Sequence, residues 1–583
     1  MLKKLATLAG AVGTTAVGAM ATDTWQATRS GVTWLLGRGE PARQAGTEAQ
    51  LDDGNAAVVV RASARNGRRA PEHVMRGLGR FVPAWPVCTG LLLLALVPRL
   101  VGLTADLPYM HHPDEPVNLR VIDAMVSNGD ANPHFFKYPS LFFYLHAAFH
   151  LDGPLLGWIP GLAELAPVSA LMGVSYAPTT GSVVVHRGLT VALGILVVLV
   201  GWVTARRVTT GVLPAAVTAM LLALSPTLIT HSRFITPDVP TALLIAVAVL
   251  AAVHLMRSDS WLAYAVSGLA VGLATSTKYT AVLVAVPVVL AALLGPTDRA
   301  GLRRAAAGLP LAGACAVLAF LAATPYALLD RPAFLKGVQF ERHHYATGHA
   351  GMDGNAPGFY AGYLATHEGL LVALALVAVL AVTIWDRQRW RTAVVLGSFP
   401  VIYSAVVAMQ AVRNDRTIML ILPPLAVLAA LAIEPLMTTC AQHHQSVGLA
   451  TAGTAVVALV VGAVARLPYP ALPYPAPSTW NAAQHWFDER TPSGTTVLIE
   501  PYAPWLNPAR YQLIPCGRVV DCPPPRGGYV VASEGMYGRF TEEPKTYPAD
   551  AAAYQRLFRQ LPQVAIFDDG NGPVIRIFKV PAA

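Results

Sequence analysis

The stretch "HHPDEPVNLR", residues 111–120, sets two histidines, His111 and His112, beside two carboxylates, Asp114 and Glu115, with prolines on either side of the acidic pair. It follows the first convincing apolar run of the chain. A carboxylate on such a stiffened backbone can accept the proton of an attacking hydroxyl, which is the work of a general base. Either acid suits that role. An Asp-Glu pair in a loop is usually just solvated, so its meaning depends on what else gathers near it.

Three distant stretches carry cations at the ends of apolar runs: Arg233 and Asp238 in "HSRFITPDVP", Lys278 in "STKYTA", and Arg413 with Arg416 in "QAVRNDRT". A charge at the edge of a bilayer is costly unless it is paired or reaches water. Taken singly, each cation could snorkel to lipid headgroups or pair with a nearby acid. Taken together they suit an anionic headgroup whose apolar tail stays in the membrane. The forked donors of Arg match phosphate oxygens, and Lys serves as a point charge. A phosphate held in this way can also leave without a proton donor, because positive charge stabilises it. Asp114 or Glu115 would then be the base, with Lys278, Arg413, Arg416 and Arg233 as the phosphate clamp.

A second histidine group, "ERHHYATGHAG" at 341–351, supplies His343, His344 and His349. With Asp114 or Glu115, His344 could join a divalent metal site, although the spacing matches no zinc signature. Contacts to substrate are the better use of these rings. The Gly-rich "GHAG" could instead be a mobile loop over the site.

These residues need a scaffold. The chain has 583 residues, 54% hydrophobic and 13% charged, with a mean hydropathy of +0.48. Repeated apolar runs near the roughly 20 residues needed to cross a bilayer make it a polytopic α-helical membrane protein. The formal charge of +9 is therefore no sign of nucleic-acid binding, because Lys and Arg gather in cytoplasmic loops.

Spans are expected at about 86–104, 186–205, 211–230, 239–257, 260–276, 279–295, 306–329, 363–384, 391–409, 417–435 and 446–465. With the N-terminus inside, Arg206, Arg207, Arg257, Arg299, Arg303, Arg304, Arg387, Arg389 and Arg391 all fall on the inner side. "PSLFFYLHAAFH" (139–150) is expected to lie along the outer surface, since one more span there would invert the arginine pattern.

Residues 1–80 begin like a signal peptide, but the basic stretch at 61–80 better suits a cytoplasmic, largely disordered segment. The membrane module is then 81–465, with large outer loops at 105–185 and 330–362. Residues 466–583 open on a Pro-rich linker and read beyond it as an extracytoplasmic α/β domain. Strand patterns lie in "TTVLIEPY", "GYVVAS" and "VAIFDDGNGPVIRIFKV", and helical spacing in "TWNAAQHWFDER" and "DAAAYQRLFRQL". Cys516 and Cys522 are either a disulfide or a close pair of free thiols.

Four stretches, "HPDEPVNLRVIDAMVSNGDANPHFFKYPSLFFYL", "HSRFITPDVPTALL", "GLATSTKYTAVLVAVP" and "RNDRTIMLILPPLAVLAA", resemble the family 39 glycosyltransferases. These are GT-C enzymes related to protein O-mannosyltransferases and to the aminoarabinose transferase of lipid A. The resemblance runs from about 86 to 465, with a weaker echo in "GYVVASEGMYGRF". It implies a GT-C fold, here with about eleven transmembrane helices plus the small α/β domain, in the plasma membrane. It implies a polyprenyl-phosphate-linked sugar as donor and inverting transfer to an extracytoplasmic glycan, protein or lipid.

On this pattern Asp114 matches the catalytic aspartate, with Glu115 its partner; Asp238 matches the acid of the second outer loop, and Lys278 a donor-phosphate contact. Lys137, Tyr138 and Tyr279 lie within the resembling stretches and join the expected substrate contacts. Two other functions remain open: a flippase of lipid-linked sugar, and a non-catalytic protein that binds it. The Ala-rich, Arg-over-Lys composition hints at a GC-rich bacterial genome.

Overall fold

In a computed structural model, the structure describes residues 84–104, 107, 110, 112–150, 180–258, 260–296, 298–348, 352, 354–384, 389–443, 478–568 and 572–582. The expected N-terminal segment, the span at 446–465, His111, His349 and the Pro-rich linker up to 477 lie outside them.

The apolar runs fold as helices: α1 (Ala84–Leu100), α2 (Glu115–Asn128), α3 (Leu141–Ala148), α4 (Thr180–Val208), α5 (Val212–Ala223), α6 (Asp238–Leu255), α7 (Trp261–Thr275), α8 (Ala285–Leu294) and α9 (Arg299–Ala323). They continue as α10 (Arg331–Thr347), α11 (Ala356–His367), α12 (Gly369–Ile384), α13 (Trp390–Ala408) and α14 (Leu422–His443). Among the described residues five helices are long and apolar enough to cross a membrane, or up to six with α11 and α12 counted as one. Their shared core is built mostly from small and aliphatic side chains of α4, α5, α6, α13 and α14, with Trp202, Phe399 and Tyr403 among them.

Several expected spans are broken, each for a local reason. The run at 211–230 splits because Ser225 caps a new turn, its Oγ accepting from the Leu228 N–H at 3.2 Å, with Pro226 starting the helix. The run at 306–329 stops at Thr324, before Pro325. The run at 363–384 bends by 99° between α11 and α12. Glu368 sits at that bend and accepts from Ser225 Oγ at 2.6 Å and the Thr227 N–H at 3.2 Å. A carboxylate in apolar surroundings needs such donors, and the start of the helix at Pro226 offers them. The expected loop at 330–362 is mostly helical, because Asp330 caps α10 and Asn355 caps α11.

Two close contacts hold the bundle. Gly268 and Gly272, four apart on α7, face the backbone of α9, where an added Cβ would lie 2.1 Å from the Ala312 carbonyl oxygen and 2.2 Å from that of Ala316. Small residues at this spacing let helices pack backbone to backbone. Arg99 is fully buried in α1. Its guanidinium donates to the carbonyls of Ala223 at 2.8 Å and Leu222 at 3.0 Å, which the end of α5 leaves without helical partners.

The C-terminal residues form α15 (Thr479–Arg490), β1 (Thr496–Ile499), β2 (Gln512–Pro515), β3 (Tyr529–Ser533), α16 (Glu534–Thr541), α17 (Pro548–Gln560), β4 (Gln563–Phe567) and β5 (Ile575–Lys579). The sheet order is β2-β1-β3-β5-β4, parallel around β1 and antiparallel around β5. Strand β2, with a mostly exposed pattern, carries too little periodicity to be read from sequence. Cys516 and Cys522 are joined in a disulfide.

Glu500 is buried at the C-terminal ends of β1 and β3 and accepts from the Val519 N–H at 3.0 Å, the Ser533 N–H at 2.9 Å and Tyr554 Oη at 2.8 Å. Burial outweighs these donors and pushes its carboxyl up to about 7 from 4.5. The bound proton therefore stabilises the fold fully below pH 4.5, and that contribution, about 3 kcal/mol, is lost as pH rises through 7. The thermal midpoint of the purified protein should fall from about pH 5 to about pH 8. Glu500→Gln should lower the midpoint throughout and flatten that fall; an equal slope in both proteins would remove Glu500 as its cause.

Candidate active site

Helix α2 starts at Glu115, with Pro116 in its first turn. Asp114, at the cap position, makes no capping bond with its side chain. Its carboxylate is instead aimed into a cavity of about 530 Å³, paired with Arg416. The same cavity is lined by Lys278, Asp238, Lys137, Tyr138 and His344. Asp238 opens α6, where the helix dipole favours a negative charge, and holds Lys278 Nζ at 2.8 Å. Two acid–base pairs from four separate segments thus face one space.

The structure changes the expected roles of several residues. Glu115 does not line the cavity: fully buried, it receives Arg187 Nε at 2.9 Å and Nη2 at 2.7 Å and the Ile235 N–H at 3.1 Å. Its neighbour one residue earlier points the other way because α2 begins between them. Arg233 is buried and donates to the Val101 carbonyl at 3.2 Å, away from the cavity lining. Arg413 pairs with Glu543 of the C-terminal region and lies 5.5 Å over the Phe359 ring. It ties two parts of the chain together and does not line the cavity.

His112 packs its ring, tilted, against Phe234 at 4.5 Å, with Nδ1 accepting from the Asp114 N–H at 3.3 Å, so it braces the acid from behind. Tyr279 donates to the Phe136 carbonyl at 3.0 Å, outside the lining. His343 is exposed on α10. Among the described residues no group of three or more His, Cys, Asp or Glu gathers to hold a metal. With Glu115 turned to Arg187, the Asp114–Glu115–His344 set does not fit one.

Several lining residues were not anticipated. Helix α10 turns the expected His344 toward the space and, with it, the unexpected Phe340, Glu341 and Tyr345, at helical spacing within a stretch that reads as a polar loop. Tyr502 and Arg539 enter from the C-terminal region. Arg187, which holds Glu115 away from the cavity, was missed too, although a lone Arg at the start of an apolar run is a usable signal, since such a charge needs a partner.

Residues 177–327 match the family model of dolichyl-phosphate-mannose-protein mannosyltransferases. The resemblance to that family of membrane glycosyltransferases holds. No curated protein matches the sequence. Among solved structures, apo ArnT from Cupriavidus metallidurans is similar over 84% of this chain and 97% of its own, at 16% identity and a TM-score of 0.49. The same protein bound to undecaprenyl phosphate gives 15% and 0.48 over the same shares. The S. cerevisiae Pmt1–Pmt2 complex bound to its sugar donor is similar over 43% of this chain and 34% of its own, at 18% identity and a TM-score of 0.34.

Proposed function

We propose that this chain is a membrane glycosyltransferase that moves a sugar from a polyprenyl phosphate to a hydroxyl-bearing acceptor outside the cytoplasm, with inversion. The observation that carries this reading is the meeting of Asp114, Arg416, Lys278 and Asp238 in one cavity. Asp114 takes the proton of the acceptor hydroxyl as its oxygen bonds to the anomeric carbon. The bond from that carbon to the phosphate oxygen breaks, and its electron pair leaves with the polyprenyl phosphate. Arg416 and Lys278 stabilise that anion. Arg416 has five donors, so it can steady Asp114 with one arm and grip a phosphate oxygen with another. Asp238 fixes the Lys278 ammonium so that it meets the phosphate without reorganising.

The test is transfer from a radiolabelled polyprenyl-phosphate sugar by the purified protein in vesicles. Arg416→Gln should raise the donor KM, and the inhibition constant of free polyprenyl phosphate, by roughly 10- to 100-fold, the value of a charge-assisted bond. Unchanged constants would remove Arg416 from the phosphate site. Movement of the lipid across the vesicle with its sugar linkage intact would replace this reading with the flippase.

A further inference from the structure

The wall supplied by the C-terminal region presents a cation that the chemistry above does not use. Arg539 lines the cavity. Its Nη2 donates to Tyr502 Oη at 2.5 Å, and its guanidinium lies 4.8 Å over the Tyr502 ring. It makes no ion pair among the described residues, and its Nη1 is buried without a hydrogen-bond partner. A buried donor left in this state costs free energy, which an acceptor would recover once the guanidinium turns that arm into the cavity.

The rest beneath it is built under strain. Tyr502 holds a φ of 66°, one of two non-glycine residues in the left-handed region among the described residues. For a bulky side chain that conformation persists only when its surroundings impose it. Here Trp480 Nε1 donates to the Tyr502 carbonyl at 2.7 Å. Gly535 also approaches so closely that a Cβ on it would lie 2.8 Å from Tyr502 Cβ. Strain held by two partners, at a cavity wall, positions one guanidinium.

We propose that Arg539, on its Tyr502 rest, is a recognition site for an anionic group of the acceptor, a carboxylate or phosphate carried near the hydroxyl that takes the sugar. This rests on the glycosyltransferase reading for what occupies the rest of the cavity. The other lining cations have an acid at hand: Arg416 faces Asp114, Lys278 faces Asp238, and Lys137, 4.3 Å over the Phe340 ring, has Glu341 within electrostatic reach. Arg539 is the guanidinium left to meet a second anion. Its planar fork and aromatic backing suit a carboxylate or phosphate better than a neutral hydroxyl.

The test is direct binding, so it does not depend on turnover. The full-length protein in detergent is first saturated with polyprenyl phosphate. Glucuronate, glucose 6-phosphate and glucose are then titrated by calorimetry into wild type, Arg539→Gln, Arg539→Lys and Tyr502→Phe. Wild type should bind one or both anionic sugars with the lipid in place, and bind glucose roughly 10- to 100-fold more weakly. The comparison of the two anions tells carboxylate from phosphate. Arg539→Gln should lose the preference for anions, with Arg539→Lys and Tyr502→Phe intermediate. Equal binding of glucose and both anions, anion binding unchanged in Arg539→Gln, or anions excluded by the lipid would each overturn the proposal. Binding of the polyprenyl phosphate itself, measured alongside in Arg416→Gln, reports on the donor reading separately.

Discussion

Asp114→Asn is expected to reduce sugar transfer by about 100- to 10,000-fold, the range for loss of a positioned general base. The variant keeps an oxygen for Arg416 and removes the capacity to take a proton. Asp114 is paired with Arg416 at the cavity, with a quarter of its side chain exposed, so the substitution leaves no buried charge behind. Donor KM and thermal midpoint should therefore stay near wild type while kcat falls. The measurement is transfer of label from polyprenyl-phosphate sugar in vesicles, beside a melting curve of the same preparation. Full activity in Asp114→Asn would end its candidacy as base.

The next residue should respond in the opposite manner. Glu115→Ala is expected to cost about 3–5 kcal/mol of stability, because it strips Arg187 of its carboxylate deep in the protein and leaves the Ile235 N–H without its acceptor. Loss of folded protein, seen as a lowered midpoint and poor recovery from membranes, should precede any change in kcat. The double variant Glu115→Leu with Arg187→Met should recover much of that stability, since removing both charges also removes their desolvation cost. If Glu115→Ala folds as well as wild type but transfers no sugar, the roles of the two acids are reversed.

From the residues alone, Asp114 and Glu115 were equal candidates, because each is a carboxylate between prolines. What separates them is a turn of chain: α2 begins at Glu115, so the two side chains leave on different sides, one to Arg187 and one to the cavity. A similar limit applies to the cations. Arg233, Lys278, Arg413 and Arg416 all lie at the ends of apolar runs, and their types say only that each needs an anion. Lys278 and Arg416 find theirs in the cavity, whereas Arg413 meets Glu543, 130 residues away. Contacts over such separations depend on how helices stack, which leaves no local pattern to read.

Hydropathy by itself determined that this is a chain of many apolar helices, because burying the backbone in lipid requires long, weakly charged runs. The stretch at 111–120, with Asp238, Lys278 and Arg416, was likewise marked by charges too costly to keep at a membrane edge without a use. Tertiary structure alone decided which of those charges share one space, where the runs break, and that Arg539 and Tyr502 join them from the far end of the chain. The reason is physical: the cost of a charge is set by its own surroundings and can be estimated from neighbours in sequence, but the partner that relieves it is chosen by packing.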